Sequence, residues 1–151
     1  MTPIELRDLI RDQLPGFARV ARAEVGEQRP YGLAVQLDGR QNWVCWMVTG
    51  ASAVAPAAGD QEQPELVAVP DLSAAKVPLG TLEQALGAVA VTAPGVVRVD
   101  RYSTRPVPSA VGFGANVDCQ DGWRLFISVV GLKGSLALGE RLRSVAAGSE
   151  L

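Results

Sequence analysis

Apolar residues near the start of the chain recur at the spacing of an α-helix. Four of them fall on one side of such a helix: Leu6, Leu9, Ile10 and Leu14. Before them, Thr2 is followed by a proline at the first helical position and by Glu5 three residues later, which is the pattern of a capping box. Pro15 and Gly16 follow the last of these apolar residues and favour the end of the helix at that point. We therefore predict an amphipathic helix over residues 2–14.

Apolar and polar residues then alternate, which is typical of β-strands. Residues 31–37 place Leu33, Val35 and Leu37 on one face, and Asp38-Gly39 favours a hairpin turn. The apolar residues 43–49 predict the returning strand. Residues 17–25 are compatible with a helix or a strand, and the comparison with the second half of the chain, given below, favours a strand. The first half therefore predicts a helix and a three-stranded meander.

The second half predicts the same order of elements. Residues 51–65 are rich in alanine, glycine, proline and glutamine and are interpreted as a linker or exposed loop, and residues 66–69 are compatible with a short strand. Thr81, with Gln84 three residues later, predicts a second capped helix that runs to about Thr92. Three strands are predicted after it, over residues 96–103, 112–117 and 123–130. A last helix is predicted to begin at Ser135, with four inward residues: Leu136, Leu138, Leu142 and Val145.

The two halves also match in sequence. Residues 14–22 and 93–101 are identical at five of nine positions when compared at an offset of 79. At an offset of 80, residues 32–50 run without gaps over 112–130, and Trp43 meets Trp123. The same alignment pairs three further positions by residue class: Leu37 with Val117, Trp46 with Phe126 and Met47 with Ile127. Internal duplication is one explanation, and chance similarity of two ordinary units is the other.

The expected fold class is α+β, with two αβββ repeats that share a mainly antiparallel sheet and a C-terminal helix after them. The repeats would be residues 2–50 and 81–130, joined by a linker at 51–80, within a single domain of residues 1–151. Each repeat has too few elements to bury its own apolar face. We therefore expect the two repeats to complete one hydrophobic core together.

Composition excludes several classes of function. The chain has 151 residues, of which 48% are hydrophobic and 20% charged, as in ordinary globular domains. It contains no histidine, so Ser-His, Cys-His and His-metal sites are excluded, and we expect neither a cofactor nor an enzyme. A net charge of -2 does not favour a nucleic acid partner. No apolar run reaches the ~18 residues of a membrane span, and the first residues lack the form of a signal peptide, so we expect a cytoplasmic protein without a membrane partner.

The returning strands of both halves are apolar on both faces, which suggests that one face meets another protein. We predict Trp43, Trp46 and Phe126 as partner-binding residues, because tryptophan is frequent at interface hot spots. Alternation puts Trp43 and Trp46 on opposite faces, so one of the two is expected in the core. Core packing of all the tryptophans is the alternative. A homo-oligomer, most simply a two-fold dimer, would cover such a face.

Duplicated charges supply the second group of candidates, the arginines Arg19, Arg22, Arg98 and Arg101. These side chains could bind an anion, or they could block unwanted pairing at strand edges. Residues three apart on a strand point to opposite faces, so neither pair should form one clamp. Asp38 and Asp118 could form a carboxylate pair, although aspartate is also favoured in turns. Cys45 and Cys119 are expected to be reduced, and the sequence leaves open whether they ever pair.

Three classes of function fit these observations. The first is a non-enzymatic protein-interaction module, a homodimeric adaptor or chaperone-like protein that holds a partner through apolar sheet faces. In element order, size and acidity the chain resembles the small chaperones that escort secreted effectors in type III systems, and this similarity involves no sequence motif. The second is a structural subunit of a larger homomeric assembly, such as a ring or a phage head-tail or tail component. The third is a domain that binds a small anion or acts as an enzyme.

Overall fold

A computed structural model describes most of the chain: residues 1–14, 18–23, 32–37, 39–51, 65–74, 76–104, 112–136 and 142–144, with the backbone alone for 18–23. Its helices and strands, in chain order, are α1 (Pro3–Gln13), β1 (Ala18–Ala23), β2 (Gly32–Leu37), β3 (Trp43–Ala51), α2 (Leu79–Val91), β4 (Val96–Arg101), a 3-10 turn (Tyr102–Thr104), β5 (Gly114–Cys119) and β6 (Arg124–Lys133). The α+β class is confirmed. Residues 18–23 are a strand, as the comparison of the two halves favoured.

The described strands form a six-stranded sheet in the order β1-β2-β3-β6-β5-β4. Every neighbouring pair is antiparallel. Each helix precedes a three-stranded meander, and the two meanders meet where β3 pairs with β6 at the centre. This central pair is the longest, with nine register positions from Trp43 to Ala51. A single sheet therefore joins the two halves of the chain.

The two helices begin in different ways. The predicted capping box of α1 is confirmed, because the Thr2 hydroxyl accepts from the Glu5 backbone N–H at 3.2 Å while the Glu5 carboxylate accepts from the Thr2 N–H at 2.7 Å. The capping box predicted at Thr81 is wrong. Helix α2 begins two residues earlier, at Leu79, and its N-cap Pro78 offers no side-chain hydrogen bond. The Pro78 carbonyl accepts from Thr81 instead, so the helix starts without the side-chain cap that the sequence pattern predicted.

Both helices pack on one face of the sheet, here called the helix face. One core cluster contains buried residues of α1, of α2 and of the inward strand positions, among them Leu6, Ile10, Leu82, Leu86, Val35, Trp46, Leu125 and Ile127. The opposite face, here called the far face, has a smaller cluster. None of the described helices is long and apolar enough to cross a membrane.

Two predicted elements differ from the structure. Residues 65–73 contain no strand, and Leu66 is 73% exposed. The predicted C-terminal helix is not confirmed, because neither 135–136 nor 142–144 is helical, while its remaining positions lie outside the described residues. Arg143 instead pairs with Leu132 of β6 in an antiparallel bridge. At Arg143, pairing with the free backbone groups of β6 takes the place of the helix that the leucine spacing predicted.

The structure also corrects the alignment of the two halves. At an offset of 80, Trp46 is paired with Phe126 and Met47 with Ile127. Trp46 and Ile127 are both buried on the helix face, whereas Met47 and Phe126 lie on the far face. The connection from β2 to β3 is one residue longer than that from β5 to β6. Side chains alternate between the two faces along a strand. An alignment that matches the inward residues of β3 with those of β6 must therefore shift the sequence by an odd number of residues.

Candidate protein-interaction surface

The far face has an apolar centre. Ala34 and Cys45 are fully buried there, and four partly buried side chains pack against them: Trp43, Met47, Val130 and Leu142. We call these six residues the far-face cluster. Phe126 lies on the same face, opposite Thr49 on β3 and Asn116 on β5, and is half-buried. Neighbouring strands thus present two aromatic rings and a methionine on the side of the sheet away from both helices.

Charged and polar residues lie beside this apolar centre, on β4, β5 and the start of β6. Arg124 donates from Nε and Nη2 to the two carboxylate oxygens of Asp118, the second at 3.2 Å. The hydrogen bond to Asp118 raises the pKa of Arg124. Arg98 lies opposite Asp118 on β4 and is exposed. The far face therefore combines an apolar centre with a border that carries both signs of charge.

The predicted partner-binding residues divide between the two faces. Trp43 and Phe126 lie on the far face, where both are partly exposed. Trp46 is fully buried against the helix-face core, so its side chain belongs to the hydrophobic interior. The sequence analysis missed Met47, although its alternation with Trp43 would have placed it on the same face. Val130 alternates with Phe126 and lies on the same face, next to a bulge that shifts the β3–β6 register between Cys45 and Trp46.

The predicted anion-binding arginines are not brought together. Arg98 and Arg101 point to opposite faces, and Arg101 Nε donates to the buried Glu83 at 2.9 Å. Arg101 also donates from Nη2 to the Gly80 carbonyl at 3.1 Å. Arg19 and Arg22 stand opposite Gln36 and Leu33 in the β1–β2 register, and their side chains lie outside the described residues, as does Asp38. Because Arg101 already has a carboxylate partner, it is a poor choice for holding a free anion.

Glu83 is a polar centre that the sequence analysis did not single out. Its carboxylate is 1% exposed and lies in the middle of α2. Besides Arg101, it accepts from the Ser103 hydroxyl, from the Ser103 backbone N–H at 3.3 Å and from the Gly114 backbone N–H at 2.9 Å. Four donors satisfy the charge and connect α2 to the end of β4 and the start of β5. The signal that could have found it is a lone carboxylate between Leu82 and Leu86 on an apolar helix.

Next to Glu83 lies a narrow crevice that cannot hold a water molecule. Six residues line it: Trp46, Glu83, Leu86, Gly114, Ala115 and Ile127. The Trp46 Nε1 is buried without a hydrogen-bond partner. At Gly114, φ is +147°, and a Cβ there would lie 2.1 Å from the Ile127 carbonyl oxygen. The crevice is therefore a packing defect beside a close backbone contact and offers no room for a ligand.

The two cysteines are separate, free and buried. Cys45 belongs to the far-face cluster and Cys119 to the helix-face core. Burial raises the pKa of both thiols, and for Cys45 the nearby Lys133 acts in the opposite direction. The structure thus settles the pairing question for this conformation, since the sheet separates the two sulfur atoms.

No group of three or more metal-ligating side chains occurs in the part of the chain that the structure describes. No protein-family model matches the chain, and neither does any curated protein or solved structure. The geometry of the candidate surface is therefore the basis for the function proposed below.

Proposed function

We propose that this chain is a non-enzymatic protein-interaction module that forms a homodimer through the far face of its sheet. The observation that supports it is the presence of Trp43, Met47 and Phe126, all partly exposed, on the face away from both helices. Large apolar side chains grouped on one face are typical of recognition surfaces. An adaptor or chaperone-like protein would use such a face, and the subunit of a larger assembly would use more than one.

The border of the far face favours a second copy of the chain as the partner. It carries the cations Arg98 and Arg124 together with the anions Asp100 and Asp118, and Lys133 adds a cation opposite Trp43 at the other end of β6. In a two-fold dimer the same patch meets itself, so a patch with both signs can place each charge near an opposite one. A strongly one-signed border would instead repel its own copy.

We also propose that residues 2–50 and 81–130 are pseudo-repeats of one ancestral unit within a single domain, joined by residues 51–80. Two features support this: five identities among nine positions at an offset of 79, and the same order of helix and meander in each half. The strands of the two units can be aligned so that residues facing the helix-face core match in both. The offsets are 79 for β1 and β4, 82 for β2 and β5, and 81 for β3 and β6. The far face would then lie across the pseudo-two-fold axis between the two units.

Sedimentation equilibrium of the purified chain tests the homodimer. We expect the average mass to rise with protein concentration towards that of two chains. We expect Met47→Lys to weaken dimerisation by at least about tenfold, which is about 1.4 kcal/mol. The lysine stem keeps some apolar contact within the sheet, while its ammonium opposes burial against a second copy. Ile4→Lys is the matched control, because Ile4 is 42% exposed on α1 and belongs to the other side of the sheet.

The outcomes separate the alternatives. A monomer at every concentration contradicts the proposal, and so does a dimer that Ile4→Lys disrupts as much as Met47→Lys. A closed assembly of many chains favours the structural subunit. Circular dichroism of each variant verifies that the fold is retained.

A further inference from the structure

The chain returns to its own far face after β6. Leu132 and Arg143 exchange two backbone hydrogen bonds, each 2.8 Å long. The β5–β6 register ends at the pair of Gly114 and Ser128, so Arg143 pairs with β6 beyond the end of β5. Residues 142–144 thus add to the edge of β6 that β5 leaves unpaired, as in strand addition.

The residues around this segment are suited to receive it. A Cβ at Gly131 would lie 2.5 Å from the Arg143 carbonyl oxygen, and its other near neighbours also belong to Leu142 and Arg143. The Arg143 side chain donates from Nη2 to Asn42 Oδ1, before β3. Gly131, the backbone bridge to Leu132 and the hydrogen bond to Asn42 therefore hold residues 142–144 against β6.

Leu142 occupies the surface that the proposed dimer needs. It packs against Ala34 and Cys45, as Trp43, Met47 and Val130 also do. A side chain from a second copy cannot contact these residues at the position that Leu142 fills. Binding of the segment and binding of a second copy to this part of the cluster therefore exclude each other.

We propose that residues 142–144 form a strap that covers part of the far-face cluster and competes with dimerisation, an inference that rests on the proposed function. Among the residues that the structure describes, the strap is held by one backbone bridge, one leucine and one side-chain hydrogen bond, which is a small contact beside a dimer interface of standard size. A second copy can displace it, and the apparent affinity of the dimer falls as the fraction of chains with the strap released falls.

Two substitutions release the strap without altering the cluster side chains on β3 and β6. Gly131→Ala places a methyl group against the Arg143 carbonyl, and Leu142→Ser removes the apolar anchor. We expect each to tighten the dimer by about tenfold, the gain that follows if the strap is seated in most chains. Gly87→Ala is the matched control, because its new Cβ on α2 would meet only ordinary contacts at 3.6 Å or more.

A second measurement detects the strap in dilute, monomeric protein. In a Trp123→Phe background, acrylamide quenching reports on Trp43, because Trp46 is fully buried. Strap release should raise the quenching constant of Trp43 about twofold, and Gly87→Ala should leave it unchanged.

The two measurements distinguish failure of the strap from failure of the proposed function. Unchanged quenching in both release variants overturns the strap. A dimer that forms equally tightly in wild type and release variants also overturns it and leaves the homodimer intact. Increased quenching together with monomers in every variant supports the strap as a cover of Trp43 and contradicts the homodimer.

Discussion

The indole N–H of Trp46 is a polar group that is buried in the core without a hydrogen-bond partner. It has no acceptor, and the adjoining crevice is too narrow for a water molecule. Leaving such a donor unpaired costs about 1–3 kcal/mol. Burial of the large Trp46 ring therefore stabilises the fold, whereas burial of its unpaired N–H destabilises the fold.

Trp46→Phe should therefore be close to neutral. The substitution loses part of the buried ring area and also removes the unpaired donor, so we expect the free energy of unfolding to change by less than about 1.5 kcal/mol. Trp46→Ala removes the same donor but leaves a large cavity, so it should cost about 3–5 kcal/mol. Denaturant unfolding of the two variants measures the difference. A loss for Trp46→Phe as large as that for Trp46→Ala would contradict the expectation that removal of the unpaired donor offsets the lost ring area.

The two buried thiols predict a fall in stability at alkaline pH. Burial raises the pKa of Cys45 above its ordinary value, so the unfolded chain releases the thiol proton first as the pH rises. The stabilisation is complete below the ordinary thiol pKa of about 8.5 and is lost as the pH rises through the raised value. Cys45→Ala should therefore lose less stability than wild type between pH 7.5 and pH 9.5. Urea unfolding at the two pH values tests this, and equal losses would contradict it.

Glu83 matters at the scale of elements, because one carboxylate connects three of them. Helix α2 supplies the carboxylate, the last residue of β4 supplies Arg101, the 3-10 turn after it supplies Ser103, and the start of β5 supplies Gly114. The ion pair with Arg101 is 1% exposed on the glutamate side and 25% on the arginine side. Breaking such a pair leaves a charge with its partner missing.

Glu83→Gln should destabilise the protein by about 3 kcal/mol, since the amide cannot neutralise Arg101 and offers only one acceptor oxygen to four donors. Asp12→Asn is the control, because the Asp12 side chain is 60% exposed and surface pairs contribute about 0–1 kcal/mol. Thermal and denaturant unfolding compare the two. A Glu83→Gln protein as stable as the Asp12→Asn protein would rule out the carboxylate as the link between α2 and the sheet.

Local patterns predicted most elements, because they depend on nearby residues. The capping box of α1 and the apolar alternation of β2 are both visible in sequence. The C-terminal helix was predicted from the spacing of its leucines, but where Leu142 packs depends on the unpaired edge of β6, which is distant in sequence. The partners of Glu83 are equally distant.

The candidate surface was predicted in part, for a similar reason. Alternation separated Trp43 from Trp46 and left open which of them faces the core. The answer depends on which face the helices cover, and that requires the complete sheet. Phe126 was equated with Trp46 because the alignment assumed equal hairpins, and one residue of difference places the two on opposite faces.

At the scale of the whole molecule, stability depends on the pairing of β3 with β6. These strands contact each other at nine register positions, and Trp46, Leu125 and Ile127 bury their side chains around the junction. Separating the halves would expose two strand edges and divide the single helix-face core. We therefore expect that neither half alone retains enough apolar burial to offset the entropy of ordering its chain.

Fragments 1–58 and 59–151 should therefore be unfolded when separate and fold when mixed. Far-UV circular dichroism of each fragment should show little ordered structure and no cooperative transition in urea, because each lacks the strand against which its central strand packs. An equimolar mixture should recover the spectrum of the intact chain and a cooperative transition at a lower urea concentration, since association of two chains adds an entropic cost. Fragment 59–151 contains α2 and β4–β6 and is the more demanding test. Cooperative unfolding of that fragment alone would show that the second half has its own core, and the two halves would then be separate domains.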